Sequence, residues 1–379
     1  MLIALLALIP LLSALSSRGG SYGGLLLIAI ALFNFRDALR KVPLTRMDTV
    51  AGWVLLALLT LNAAHAIARG LPLSVLQAPL ICAMAFPLMI VLRGQRSITQ
   101  AIMMGCLAGA MASGALGLWQ HEIQGIARAG GFHHYIAFAN MAVLFALITS
   151  LTRPSGRMGL IVSSLAWIGA IGAIIASQTR SSLIAAVAAC FYYILQKGNP
   201  RYTRAALVAM ASGLILVMAM PGRMNDLISE IGHYRQQQIT GNSMGQRLSI
   251  WDMGIRAWRQ QPLTGIGPGN SKALITAQAH DHLASLQGLS HMHNDLLETL
   301  VTLGLPGAAL WLAWYIVIWR RFNASTHIQT KTAGHTYLIA LLIMCMTETL
   351  AGQSIMITIS TLLLAALWSQ CENTSRLQG

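Results

Sequence analysis

Two histidines, an asparagine and an aspartate stand together in HMHND, residues 291–295, directly ahead of a leucine-rich run. A neutral imidazole takes a proton from an attacking hydroxyl near neutral pH. His293 or His291 is therefore a candidate general base, with Asn294 or Asp295 placed to orient it. A plainer account is also open. If a helix begins near Ser290, that serine is its cap, and Asp295 and Glu298 lie in the first turns, where the helix dipole favours acids. A third reading joins HMH to HDH at 280–282, giving four histidines within fourteen residues. Zinc accepts such ligands, but the spacing fits no standard site, and no metal is expected.

The cations that could accompany a base are arginines. Arg180 interrupts an apolar run in IASQTRSSLIAA. It is either a solvated hairpin charge or a phosphate ligand, for which its planar, permanently charged fork is suited. Arg247, Arg256 and Arg259 belong to an amphipathic segment. The solvated face of a helix accounts for Arg256 and Arg259, while Arg247, near the helix start, is the better phosphate ligand. Arg128, His133 and His134 in ARAGGFHHYIAFAN, together with Glu348 and Gln353, complete the set. Glu348 is read as the partner of an active-site arginine.

These residues must be positioned by a chain that is 55% hydrophobic and 9% charged, against roughly 25% charged in soluble domains. It is expected to be an all-α polytopic membrane protein. A span needs about 20 apolar residues. Twelve segments qualify or come close: 2–15, 22–33, 49–68, 72–92, 100–119, 134–152, 158–177, 182–196, 204–220, 294–319, 333–350 and 352–370. Lysines and arginines number fourteen in the even-numbered loops and four in the short odd loops. The positive-inside rule then places both termini in the cytoplasm and the odd loops outside. The opening MLIALLALIPLLSALSS lacks a basic n-region and is read as a first helix, with a signal peptide as the alternative. The net charge of +14 is explained by cytoplasmic loop anchors rather than by nucleic-acid binding, since no soluble basic domain is present. Five cysteines show no disulfide or zinc spacing.

We read residues 1–379 as one integral membrane domain. Residues 221–293 form a large external loop between the ninth and tenth spans, too long for a plain connection. NDLISEIGHYRQQ and QRLSIWDMGIRAWRQQ both read as amphipathic helices, the second with Leu248, Trp251, Ile255 and Trp258 on one interfacial face. PLTGIGPGN follows as a glycine-rich turn. The whole makes a helical cap on the external side, where the unusual polar residues gather.

Three stretches, RLSIWDMGIRAWRQQPLTGIGPGN (247–270), HMHNDLLETLVTLGLPG (291–307) and QTRSSLIA (178–185), resemble the O-antigen ligase/polymerase superfamily of bacterial membrane glycosyltransferases. The shared pattern is an arginine followed by tryptophan, a Pro…Gly-x-Gly turn, and a His-Asn pair followed by leucine and Gly-x-x-Gly. The resemblance implies a GT-C-like helical fold in a Gram-negative inner membrane with a periplasmic active site. It implies a polyprenyl-diphosphate-linked glycan as donor and no metal or other cofactor. In the WaaL-type ligase branch the donor is undecaprenyl-diphosphate-linked O-antigen and the acceptor is lipid A-core. Two arginines and a histidine are essential in the family; Arg180, Arg247 and His293 match them, with Arg256 close to the second and His291 in reserve. His291, Asn294, Arg128, His133, His134, Arg256 and Glu348 are then expected to bind substrate. An O-antigen polymerase shares the donor chemistry, and a protein-glycosylating ligase is a further alternative. A transporter would place ionisable groups near mid-membrane, whereas here they crowd one boundary.

Overall fold

The computed structural model describes residues 2–95, 97–196, 243–278, 286 and 288–371. Among these residues the protein is wholly helical. Its helices are α1 (Leu2–Leu15), α2 (Gly19–Lys41), α3 (Arg46–Ala68), α4 (Gln77–Ala83), α5 (Ala85–Leu92), α6 (Ile98–Leu118), α7 (Tyr135–Thr152), α8 (Arg157–Ser177), α9 (Arg180–Leu195), α10 (Ser243–Gln260), α11 (Ser271–Gln278), α12 (Asp295–Asn323), α13 (Ile328–Thr347) and α14 (Ser354–Ser369). Seven stretches are long and apolar enough to cross a membrane, and α1, α9 and α14 are shorter apolar helices. The chain is a polytopic membrane protein. Eleven of the twelve expected segments fall on observed helices; the ninth, 204–220, lies outside the described residues, as do the NDLISEIGHYRQQ helix and the HDH triplet. The second segment, short in the sequence reading, is part of the longer α2.

The apolar helices pack through small residues. Gly114 of α6 and Gly169 of α8 bring their backbones so close that a methyl on either would strike the other helix. This is the usual device where lipid supplies no hydrophobic drive between helices. The bundle encloses α7, which is buried from Ile136 to Thr149. One end of the bundle is fastened by Asp48. Its carboxylate accepts from Arg93 Nη2 and Trp368 Nε1, both at 2.8 Å, and from Thr45 in a capping box. The pair is buried on both sides.

The opposite end is organised by a break in α12. Gly304 has φ +69° and ψ −166°, and Pro306 follows it. Proline offers no N–H to the carbonyl of Thr302, four residues back, and the N–H of Leu305 is diverted to Pro262 O at 2.9 Å. The freed carbonyls of Val301 and Thr302 accept from the N–H groups of Ile266 and Gly267, each at 2.9 Å. The glycine-rich turn is thus laced into the gap in the helix, as non-helical backbone inside a membrane protein must be. Gly265 sits at φ +61°, and a Cβ there would lie 2.5 Å from the Thr302 carbonyl carbon.

Over this joint lies α10. Its Ile250 and Met253 form a small second core with Ile275, Leu286, Met292 and Val301, and Ala257 is buried one turn further on. The expected face of Leu248, Trp251, Ile255 and Trp258 is therefore displaced. Packing on α12 selects the stripe at 250, 253 and 257, while the tryptophans sit half-buried beside it. Replacing Gly265 with alanine combines a disfavoured φ with a backbone clash, at a cost of about 2–4 kcal/mol. Thermal unfolding in detergent should show a clear drop in midpoint, whereas Gly70→Ala, at φ +61° with open space around it, should lose much less.

Candidate active site

Met292 is the pivot of the HMHN segment. Its side chain is fully buried in the small core. Its N–H donates to Glu298 Oε2 at 2.9 Å, and its carbonyl accepts from Trp251 Nε1 at 2.7 Å. Glu298 is held in turn by Ser271 Oγ at 2.6 Å. With Met292 turned into the cap, the flanking histidines turn the other way. His293 adopts φ +50°, a conformation uncommon for a residue with a Cβ and often found at functional sites.

Both histidines meet one oxygen. His291 Nε2 and His293 Nδ1 each lie 2.8 Å from Glu348 Oε1, which also accepts from the Thr349 N–H at 3.1 Å. The imidazole rings are 4.4 Å apart. Glu348 is 0% exposed, and the two histidine side chains are 18% and 14% exposed. Among the described residues the side chains hydrogen-bonded to Glu348 are the histidine pair rather than the expected arginine, and Glu348 orients the rings where Asn294 or Asp295 was expected to. Asp295 points elsewhere and bonds Cys345.

The expected cap at Ser290 is also corrected. Ser290 Oγ lies 2.9 Å from His291 Nδ1, and the N-cap of α12 is Asn294, whose Oδ1 accepts from the Leu297 N–H at 2.9 Å. The remaining groups of Asn294 bind Met346 O and Thr349 Oγ1. One residue thus caps α12 and takes up an orphan carbonyl at the end of α13.

The two histidines are not equivalent. Both ring nitrogens of His291 are engaged, by Ser290 and Glu348. His293 uses Nδ1 on Glu348, and among the described residues its Nε2 has no hydrogen-bond partner. A carboxylate behind Nδ1–H fixes the tautomer and leaves Nε2 as the base, the logic of a catalytic triad. Burial opposes a charge on either partner. The two histidines nevertheless hold the Glu348 carboxyl well below its usual range. In the same way, Glu348 raises His291 against its burial.

Around this centre stand other members of the set. The loop that precedes α7 is pinned to the end of α8 by Ala129 N–H on Ala176 O at 2.9 Å. Arg128 stacks over Tyr135, its Cζ 3.6 Å from the ring centroid, and donates toward Ser177 O at 3.4 Å. His134 stacks on Tyr135 too, at 4.1 Å. Burial keeps it below its usual pKa, modulated by the charges of Glu348, His293, Arg128 and His291. Arg180 is the first residue of α9, just past Ser177. Tyr192 on α9 touches His335 on α13. Tyr192 lies twelve residues below Arg180 and His335 thirteen below Glu348, roughly 18 and 20 Å of helix. Arg180 and Glu348 are thus level on neighbouring helices. Arg247 lies one turn before Trp251 on the same face of α10 and is half-buried.

Two candidates are not brought to this centre. His133 is drawn to the end of α1, its Nε2 2.8 Å from Ser13 O. Arg256 pairs with Asp252 at 2.7 Å on the exposed face of α10, because that face turns away from the small core. Tyr135, Trp251 and Thr349 were missed as parts of the site. Trp251 stands inside a motif that was noticed, but its indole bond to Met292 spans 41 residues and leaves no local sign.

His291, His293 and Glu348 also bring three ligand atoms within 4.8 Å of one another, a set that could hold a divalent cation. The nitrogen–oxygen separations of 2.8 Å suit a shared proton better, since ligands about 2.1 Å from a tetrahedral zinc stand roughly 3.4 Å apart.

Titration of the cluster should be visible in stability. His291, raised above its ordinary 6.5, contributes fully below that value and loses its contribution as pH climbs through the folded pKa. Glu348, lowered from 4.5, contributes above 4.5 and fails as pH falls toward its depressed value. The unfolding midpoint should therefore be highest between about pH 5 and 6.5 and decline toward pH 8. In Glu348→Gln the buried His291 loses its counter-charge, so the trend above pH 5 should reverse. Parallel pH profiles for the two proteins would rule out this coupling.

Residues 164–312 match the family described as O-antigen ligase. The matched stretch contains Arg180, Arg247 and the HMHN segment and ends before Glu348. No curated protein matches the chain.

Proposed function

We propose that this multi-pass membrane protein, which carries an O-antigen ligase domain, transfers O-antigen from undecaprenyl diphosphate to lipid A-core by a metal-independent, inverting displacement on the periplasmic face of the inner membrane. The observation that carries the mechanism is the Glu348–His293 pair with Nε2 left available. A hydroxyl of the acceptor sugar attacks the anomeric carbon of the donor, and its proton passes to His293 Nε2. The bond from that carbon to the diphosphate oxygen breaks, and the diphosphate leaves. Glu348 stabilises the imidazolium that forms. Arg180 and Arg247 are assigned to the diphosphate, whose developing charge needs fixed cations if no metal supplies them. Arg128 and His134 border the same space. Ser290 and Glu348 occupy both nitrogens of His291, which makes it a positioning group rather than the base.

The orientation follows the loop charges. The end of the bundle away from the histidines carries Arg40, Lys41, Arg46, Arg93, Arg153, Arg157, Arg320 and Arg321, which the positive-inside rule assigns to the cytoplasm. A polymerase that extends the lipid-linked glycan would use the same donor site, and the acceptor decides between them.

Purified protein supplied with lipid-linked O-antigen and lipid A-core, in EDTA, should cap the core with polymer. His293→Ala should reduce the rate by about 100- to 10,000-fold, and Arg180→Ala by about 100- to 1,000-fold with only partial recovery in Arg180→Lys. Lengthening of the lipid-linked glycan with a bare core would identify a polymerase instead. Loss of wild-type activity in EDTA, restored by a divalent cation, would assign His291, His293 and Glu348 to a metal.

A further inference from the structure

A cavity of about 600 Å³ lies far from the histidines. Its walls are the end of α7, the loop to α8, the start of α8, the end of α9 and the start of α13. The opposite ends of α7, α8, α9 and α13 reach toward Tyr135, Ser177, Arg180 and Glu348, so the cavity sits at the other boundary of the bundle. Two arginines line it, Arg153 and Arg157, and no Asp or Glu stands among its lining residues. Ser155, Tyr193, Gln196 and Gln329 add hydroxyl and amide groups. Ser150 and Thr332 line it too, and of its apolar residues Leu160 and Ile328 are 57% and 64% exposed.

We propose that this cavity binds phosphate, presented by the headgroup of an anionic phospholipid. With no acid among the described lining residues, two guanidiniums select an anion, and planar forks suit phosphate oxygens. The volume equals about twenty waters at ~30 Å³ each, ample for a glycerophosphate group. Exposed leucine and isoleucine beside the arginines continue the site onto the lipid-facing surface, where acyl chains lie. Basic pockets between membrane helices on the cytoplasmic side hold anionic headgroups in this way. The pocket shares α7, α8, α9 and α13 with the histidine site but none of its residues, so binding is read independently of glycosyl transfer.

The test uses the full chain, stripped of lipid in neutral detergent, and native mass spectrometry. The probes are dihexanoyl phosphatidylglycerol, dihexanoyl phosphatidylcholine and inorganic phosphate. Phosphatidylglycerol should bind saturably, phosphatidylcholine weakly, and millimolar phosphate should compete. Arg153→Gln/Arg157→Gln should bind phosphatidylglycerol about tenfold or more weakly, while Arg153→Lys/Arg157→Lys retains part of the affinity and both melt like the wild type. Phosphate binding without lipid binding would keep the anion site and overturn its lipid source. Equal binding of the two lipids, or a glutamine variant that binds like the wild type, would overturn the site itself.

Discussion

A buried carboxylate that accepts three hydrogen bonds on a single oxygen organises one end of this protein. Taking Glu348 out of water costs several kcal/mol, and the cost is offset only if its donors are held in place. His291, His293 and the Thr349 N–H supply them. Each donor has its own support: Ser290 behind His291, the Met292 pivot between the rings, and Asn294 joining the start of α12 to the end of α13. The same constraint explains the left-handed backbone at His293. Without that turn, two side chains flanking a buried methionine would not converge on one atom.

The second requirement is that the cap hold still above the bundle. A helix interrupted by glycine and proline leaves carbonyls that must be satisfied, and the glycine-rich turn satisfies them with its own N–H groups. Arg69 reinforces the joint by donating to Gly265 O and Gln261 Oε1. The defect in α12 thus becomes the attachment point for α10, which carries Arg247 and Trp251. From the start of α12 at Asp295 to the break at Gly304 is about two and a half turns of helix, so the geometry of the joint is transmitted to the site over a short, rigid path. The far end is fixed separately by Asp48, Arg93 and Trp368, which leaves the two boundaries of the bundle with independent fastenings.

Much of this was legible in the chain itself. Apolar runs long enough to span lipid, alternating loop charges and the clustering of polar residues at one boundary follow from solvation, which each segment obeys locally. They determined the helical membrane architecture and the location of HMHN, Arg180 and Arg247. The N-cap was misplaced by four residues because serine and asparagine are nearly equal caps; what chose Asn294 was a carbonyl on α13, more than fifty residues away. The face of α10 was displaced for a similar reason, since its partner is a protein helix rather than a membrane surface.

Only the tertiary structure decided which acid serves the histidines. Asp295 and Glu298 are their neighbours in sequence, and both are turned to other tasks. Glu348 is more than fifty residues distant and closes the site because α13 runs antiparallel to α9 and ends beside α12. Burial and helix periodicity are properties of a segment and can be read from its residues. The pairing of a carboxylate with a base is a property of two segments brought together, and nothing in either one specifies the other.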